Sequence, residues 1–100
     1  MAVTVHAINT IVSDPAIRDG SPIIAGTTIR VSDIAAYYVY AGRTPEELAV
    51  GFALDLGQVH ATLAYYHMHK AEVDAELRQN ADAAEDYMAE LSKQGRLIRD

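Results

Sequence analysis

Four histidines are the side chains of this sequence best suited to bind a transition metal. His67 and His69 are two residues apart, so a helix places them on opposing faces. His60 and His67 are seven residues apart and share a face, but they are separated by two helical turns, about 10 Å. Neither pair can hold one ion, so the histidines are interpreted as packing or solvent-facing residues. We predict no metal site and no cofactor.

The residue types that carry nucleophilic catalysis are not arranged for it. The chain contains no cysteine, and its serines fall at predicted turns, helix caps or a helix surface, without a flanking glycine elbow. Gly20 and Gly26 are not followed by a phosphate-loop lysine. Carboxylate pairs such as Asp82 and Asp86 fit the solvated face of a helix. The sequence therefore predicts a protein that is not an enzyme.

Binding to nucleic acid is the next chemistry to consider. Arg18, Arg30 and Arg43 are the only Lys or Arg residues before Lys70, and each lies in a predicted turn or at a strand end. They are candidate phosphate contacts, and simple surface charge is the alternative explanation. Candidate groove-facing residues follow one side of a predicted helix: Gln58, Thr62, Tyr65 and His69. The chain has six tyrosines and one phenylalanine, which suggests positions where the ring is buried and the hydroxyl reaches solvent. Such positions fit base stacking, or the packing of a core or a dimer.

The elements that would position these residues begin with an extended, turn-rich segment from Ile8 to Val31. Asp14 and Pro15 favour a turn, and β-branched residues on both sides of Gly26 predict a short hairpin or a kinked strand pair.

Three helices are predicted to follow. The first begins at the cap Ser32 and ends at Gly42; the second begins at Thr44-Pro45 with Glu47 completing a capping box; the third runs from Gln58. Their inner faces are predicted as Ile34, Tyr37, Tyr38 and Ala41 on the first, Leu48 and Phe52 on the second, and Val59, Leu63, Tyr66 and Lys70 on the third. Such a trihelical arrangement is typical of helix-turn-helix proteins, but other three-helix folds share its periodicity.

The last thirty residues, from Ala71 to Asp100, are richer in charge and poorer in apolar residues. Apolar residues still recur every three or four positions, which predicts a long amphipathic helix. Its stripe includes the candidate partner-binding residues Leu77, Ala84, Met88 and Leu91. We expect this stripe to be covered by another polypeptide, either a second copy of the chain or a different protein.

Length, composition and charge restrict the class of protein. One hundred residues, half of them hydrophobic, fit one small domain. A chain this short forms a small core, which a partner subunit would help to stabilise. The formal net charge of −6 opposes binding to a phosphate backbone by charge alone. The absence of cysteine, of a signal peptide pattern and of a long apolar run predicts a cytoplasmic protein without a membrane partner.

The order of several short motifs resembles a known family over about Ile11 to His67. These motifs are Asp14-Pro15, the run Gly20 to Thr27, Ile29, Val31, Ile34, the run Gly42 to Glu47 and the run Val59 to Tyr66. They are similar to the small prokaryotic proteins that carry the domain of unknown function 433, often described as VapB-like antitoxins. Where that family commonly reads Gly-Thr-Arg-Ile-Pro-Val, this chain reads Gly26-Thr27-Thr28-Ile29-Arg30-Val31, which displaces the arginine by two positions.

The resemblance implies a homodimeric antitoxin that neutralises a PIN-type ribonuclease toxin and represses its own operon by binding operator DNA. It also implies a mainly α fold, with a short β-hairpin before a trihelical, homeodomain-like helix-turn-helix core at residues 1–70. The long C-terminal amphipathic helix, residues 71–100, would be the partner-binding or dimerisation arm. Because PIN-type sites are carboxylate clusters, Arg96 and Arg99 are candidate toxin contacts. The alternative is a homo-oligomeric protein-interaction module that does not bind DNA.

Overall fold

The computed structural model describes residues 2–80, which form a short antiparallel hairpin followed by four helices. The strands are β1 (Ile11–Val12) and β2 (Ile23–Ile24), and three of the helices are α1 (Val31–Tyr40), α2 (Pro45–Phe52) and α3 (Leu56–Met68). The fourth helix, α4, occupies residues 70–80 of the described part. No helix within residues 2–80 is both long enough and apolar enough to cross a bilayer. The prediction of a mainly α chain with a preceding hairpin is confirmed.

Turns that the sequence marks with proline and glycine lie before and after β2. In the sheet Ile11 pairs with Ile24 and Val12 with Ile23, which brings β1 against the strand that follows the Asp14-Pro15 turn. Gly26 has φ of +79°, a left-handed conformation that a side chain disfavours, and it allows the chain to reverse after β2. The sequence predicts two paired strands on either side of Gly26, but the structure has only an isolated bridge there, between Ile23 and Arg30.

Helix α1 begins one residue before the predicted cap. Arg30 occupies the N-cap position, and its backbone N–H donates to the carboxylate of Asp33 at 2.9 Å. Ser32 is therefore not the cap but lies inside the first turn, where it is 2% exposed. The predicted inner face of α1 is also displaced, because Val31, Ile34 and Ala35 are buried whereas Tyr37 is 51% exposed.

The larger part of the core lies between the hairpin and the first three helices. Its buried members are Ile24, Ile34, Leu48, Val59 and Leu63. The predictions for Leu48, Val59, Leu63 and Tyr66 as inward-facing residues are confirmed by exposures between 0% and 6%. This cluster holds α1 against both α2 and α3.

A second cluster attaches α4 to the body of the protein. Val73 and Leu77 of α4 are 5% and 4% exposed and pack with Val31, Ala35 and Tyr66. Val73 and Leu77, which belong to the predicted C-terminal arm, are thus part of the core. The predicted boundary between the core and this arm, between residues 70 and 71, lies next to this cluster. The expectation that Leu77 faces another polypeptide is wrong, because its side chain is already covered by the chain's own α1 and α3.

Candidate functional site: the surfaces of helices α2, α3 and α4

Helices α2 and α3 are joined by a three-residue turn, Ala53 to Asp55. The hydroxyl of Thr44 accepts from the Glu47 N–H at 3.1 Å while the Thr44 N–H donates to Glu47 Oε1 at 2.9 Å, which confirms the predicted capping box. Ala53 is left-handed, with φ of 57°, and ends α2. The Asp55 N–H then donates to Gln58 Oε1 at 2.8 Å and fixes the start of α3 two residues before the predicted start.

Helix α3 exposes a different face from the one predicted to read DNA. Thr62 is 0% exposed and its hydroxyl donates to the Gln58 carbonyl at 2.7 Å, so the prediction that Thr62 faces a groove is wrong. The physical reason is the helical angle: Thr62 is adjacent to Leu63 and Val59 on the buried side. The solvent-facing residues of α3 are instead Leu56, Gly57, His60, Ala64, His67 and Met68.

The other three predicted groove-facing residues are each half-buried and engaged within the chain. Gln58 is held by its bond to the Asp55 N–H. The rings of Tyr65 and His69 stack at a centroid distance of 4.2 Å, and His69 Nδ1 lies 3.1 Å from Glu72 Oε2. At 3.6 residues per turn, the centre of the predicted face lies about 150° around the helix axis from the centre of the exposed face.

The arginines predicted to contact phosphate are paired with carboxylates. Arg30 donates through Nη2 and Nε to Asp33 Oδ1, at 2.9 and 3.2 Å. Arg18 Nη2 lies 3.8 Å from Asp33 Oδ2, so both cations share one carboxylate. Arg43 Nη1 lies 3.8 Å from Glu47 Oε2, and both side chains are more than half exposed. The structure brings Arg18 and Arg30 together, while Arg43 stands at the start of α2.

Arg43 lines an open groove of about 550 Å³ beside α2. Tyr37 and Phe52 meet edge to face at 5.6 Å in its wall, and Val50 is 84% exposed at its rim. Glu46 and Glu47 also line the groove, so one cation there is opposed by two carboxylates. The groove therefore has no net positive potential from its own side chains.

A second groove, of about 270 Å³, runs between α3 and the segment before β1. It is lined by Ile8, Thr10, Ile11, Ala61, Ala64, Tyr65 and Met68. Met68 is 80% exposed and Ile8 is 79% exposed. Periodicity did not reveal this surface, although the sequence carries a signal for it: residues 2–13 and Leu56–Met68 contain no Asp, Glu, Lys or Arg.

A polar cluster fastens α4 at the start of α1. Glu76 Oε2 accepts from the Ser21 hydroxyl at 2.8 Å and also from the Ser32 hydroxyl. One carboxylate thus joins the loop before β2, the first turn of α1 and α4. No local pattern could have identified this contact, because its partners are 44 and 55 residues apart.

A second polar cluster joins α3 to α4. The Tyr66 hydroxyl donates to Asp74 Oδ1 at 2.9 Å, and Lys70 Nζ lies 2.7 Å from Asp74 Oδ2. Hydrogen bonds from Lys70 and Tyr66 lower the pKa of Asp74. Burial and the bond to Asp74 raise the pKa of Tyr66, and the bond to Asp74 raises the pKa of Lys70.

The remaining predicted partner-binding residues lie outside the described part of the chain. These are Ala84, Met88, Leu91, Arg96 and Arg99. Within residues 2–80 no three histidine or carboxylate side chains converge in a way that could hold a metal ion.

Comparison with known families gives a match from the start of the hairpin to the end of the α3 core. Residues 11–66 match the family described as a protein of unknown function, DUF433. Searches of curated proteins and of solved structures each found no match. The matched segment is more than half of the chain and contains β1, β2, α1, α2 and most of α3. The chain therefore belongs to the DUF433 family.

Proposed function

We propose that this protein is a non-catalytic, homodimeric antitoxin-type regulator that acts chiefly through protein–protein contacts. The observation that carries the proposal is the charge-free, apolar surface formed by α3 and the segment before β1, with Met68 80% exposed. Apolar surface of this kind gains most when a second polypeptide covers it. The likeness of the sequence to VapB-like antitoxins supports the regulator class.

The toxin-binding part of the proposal is assigned to the chain after Asn80. Leu77 is withdrawn from the partner surface because it is buried, and the partner residues become Ala84, Met88, Leu91, Arg96 and Arg99. The packing of Val73 and Leu77 holds α4 to the core. The partner is a PIN-type ribonuclease, whose carboxylate site is complementary to two arginines.

An inhibition assay tests this part. A PIN-type ribonuclease encoded beside this chain's own gene is assayed for RNA cleavage with wild-type protein, with an Arg96→Ala/Arg99→Ala double variant and with Lys93→Ala, which removes one positive charge from the same segment, as a control. We expect the double variant to lose at least about tenfold in inhibitory affinity, equivalent to about 1.4 kcal/mol, and the control to inhibit like wild type. Equal inhibition by all three proteins would refute the assignment of the two arginines.

Operator binding through a helix-turn-helix is the second candidate function. It is supported by the trihelical packing, by the three-residue turn between α2 and α3, and by the exposed Arg43 at the start of α2. Charge opposes it: α3 contains no Lys or Arg, and residues 2–80 contain five Lys or Arg against nine Asp or Glu. A recognition helix of this composition would read bases with little help from phosphate attraction.

The salt dependence of DNA binding tests this candidate. The probe is the DNA fragment directly upstream of this chain's own gene, compared with a scrambled fragment of the same length. If the candidate is correct, Arg43→Ala weakens binding to both fragments and reduces the salt slope by about one unit, whereas Arg78→Ala, which removes the same charge from α4, leaves the slope unchanged. No preference of the wild-type protein for the upstream fragment would exclude operator recognition.

A further inference from the structure

We infer that two copies of this chain associate through the exposed face of α3, with the two α3 helices antiparallel about a twofold axis. This α3 face consists of Gly57, Ala61, Ala64 and Met68, and Ile8 lies beside it. The inference rests on the homodimer in the proposed function and assigns its surface. It requires neither the toxin nor DNA.

The first observation is the exposure of apolar side chains on this face. Met68 is 80% exposed and Ile8 is 79% exposed, and both border the groove of about 270 Å³ whose floor includes Ala61 and Ala64. Four helical residues at spacings of four, three and four fall within a narrow stripe of the helix surface. The groove and the stripe together form one continuous apolar surface.

The second observation is the distribution of charge. Residues 2–13 and Leu56–Met68 contain no Asp, Glu, Lys or Arg, although 22% of the chain is charged and its net charge is −6. Two copies of an acidic protein repel each other unless the approaching surfaces are free of like charge. The α3 face meets this condition, and an oppositely charged partner would find no charge there to recognise. A second copy of the chain is therefore the occupant that the surface fits.

The third observation is that the spacing of the stripe is symmetrical about its midpoint. In an antiparallel pair centred between Ala61 and Ala64, each of these residues lies opposite the partner's other alanine. Small residues at the centre allow helix axes to approach to about 8 Å. Met68 then lies opposite the partner's Gly57, where an added Cβ atom would find no neighbour within 4 Å. The largest side chain of the stripe thus faces its most open position.

Charges at the two ends of α3 complement each other in the same register. Asp55 precedes α3 and Lys70 follows it, and the antiparallel register brings each level with the other residue of the partner along the helix axis. Lys70 is 60% exposed and remains accessible while it contacts Asp74. The opposed helix dipoles add a small attraction. The parallel arrangement would instead bring like ends together.

This pairing covers Gly57 and the neighbouring His60, which are the exposed residues that a recognition helix would offer to DNA. Self-association through α3 and base reading by α3 consequently exclude each other. Recognition of the upstream DNA fragment by the α3 dimer would have to use another surface.

Sedimentation or light scattering of the full chain at about 100 µM tests the inference, because a dimer with a Kd of about 1 µM is then almost fully formed. Met68→Glu introduces a charge into the α3 face, and Val50→Glu is the matched control, because Val50 is an 84% exposed helical residue on α2. We expect wild type and Val50→Glu to be dimers at about 100 µM, and we expect Met68→Glu, followed during dilution to about 1 µM, to show a Kd at least about tenfold higher with an unchanged circular dichroism spectrum. Ala64→Glu repeats the test if Met68→Glu does not retain its helical spectrum.

If wild type is a dimer and the Met68→Glu and Ala64→Glu variants are equally dimeric, the α3 interface is overturned. The homodimer of the proposed function would not be contradicted by that result. A monomeric wild type would remove both. Loss of the dimer in the two α3 variants alone supports the interface, whatever the outcome of the toxin and DNA assays.

Discussion

Replacing Glu76 by alanine tests whether α4 is an integral part of the folded domain. Glu76 accepts hydrogen bonds from Ser21 and Ser32, and Ser32 is 2% exposed. The substitution removes both bonds and leaves the Ser32 hydroxyl buried without its carboxylate partner. It also removes the negative charge that α4 places beside the first turn of α1, where the helix dipole favours one.

The expected destabilisation follows from these contacts. A hydrogen bond to a charged group contributes about 1.5–3 kcal/mol, and a buried hydroxyl left without a partner costs about 1–3 kcal/mol. Because Glu76 is half-buried and the terms overlap, we expect a total loss of about 2–4 kcal/mol in the free energy of unfolding. In a domain of this size that loss lowers Tm by at least about 8 °C.

Chemical and thermal denaturation of wild type, Glu76→Ala and a control provide the measurement. Glu72→Ala is the matched control: it lies one turn earlier on α4, its side chain is 75% exposed and it contacts only His69 among the described residues. We expect the control to lose less than about 0.5 kcal/mol. A double-mutant cycle with Ser32→Ala should give a coupling of at least about 1 kcal/mol. Equal stability of the Glu76 and Glu72 variants would refute the anchoring of α4.

Three further predictions concern the polar cluster between α3 and α4 and the turn after β2. Tyr66→Phe keeps the buried ring but removes the bond to Asp74, so denaturation should show a loss of about 1 kcal/mol, and no loss would contradict the bond. The pKa of Asp74 lies below its usual 3.8, so Asp74→Asn should have a lower free energy of unfolding than wild type at neutral pH. This difference in stability should decrease below pH 3.8, as pH falls through the folded-state pKa of Asp74. A difference that does not change with pH in acid denaturation would contradict this prediction. Gly26→Ala forces a side chain into a φ of +79° with no steric neighbour, so thermal denaturation should show a loss of about 1–2 kcal/mol from backbone strain alone.

The sequence predicted the helices well because their boundaries are specified by neighbouring residues. The Thr44 and Glu47 capping box and the i, i+4, i+7 spacing of Val59, Leu63 and Tyr66 are local features, and the structure confirms them. The start of α1 was misplaced because Asp33 reaches back to the Arg30 N–H, which competes with Ser32 as the start signal.

The candidate surfaces were harder to predict because periodicity gives the spacing of a face but not its direction. Gln58, Thr62, Tyr65 and His69 share one side of α3, yet packing against α1 and α2 buries Thr62 and leaves the other three half-buried. The orientation of a helix depends on which neighbours it packs against, and this information is not contained in its own residues.

The sequence by itself determined the presence and order of the first three helices, the acidic net charge and the charge-free composition of residues 2–13 and Leu56–Met68, because these properties depend on residue identity and local spacing. Only the tertiary structure decided that Leu77 is buried, that Arg18 and Arg30 share Asp33, and that Glu76 joins Ser21 to Ser32. The Arg30–Asp33 contact is local, but Arg18 reaches Asp33, and Glu76 reaches Ser21 and Ser32, only after distant segments of the chain have packed together.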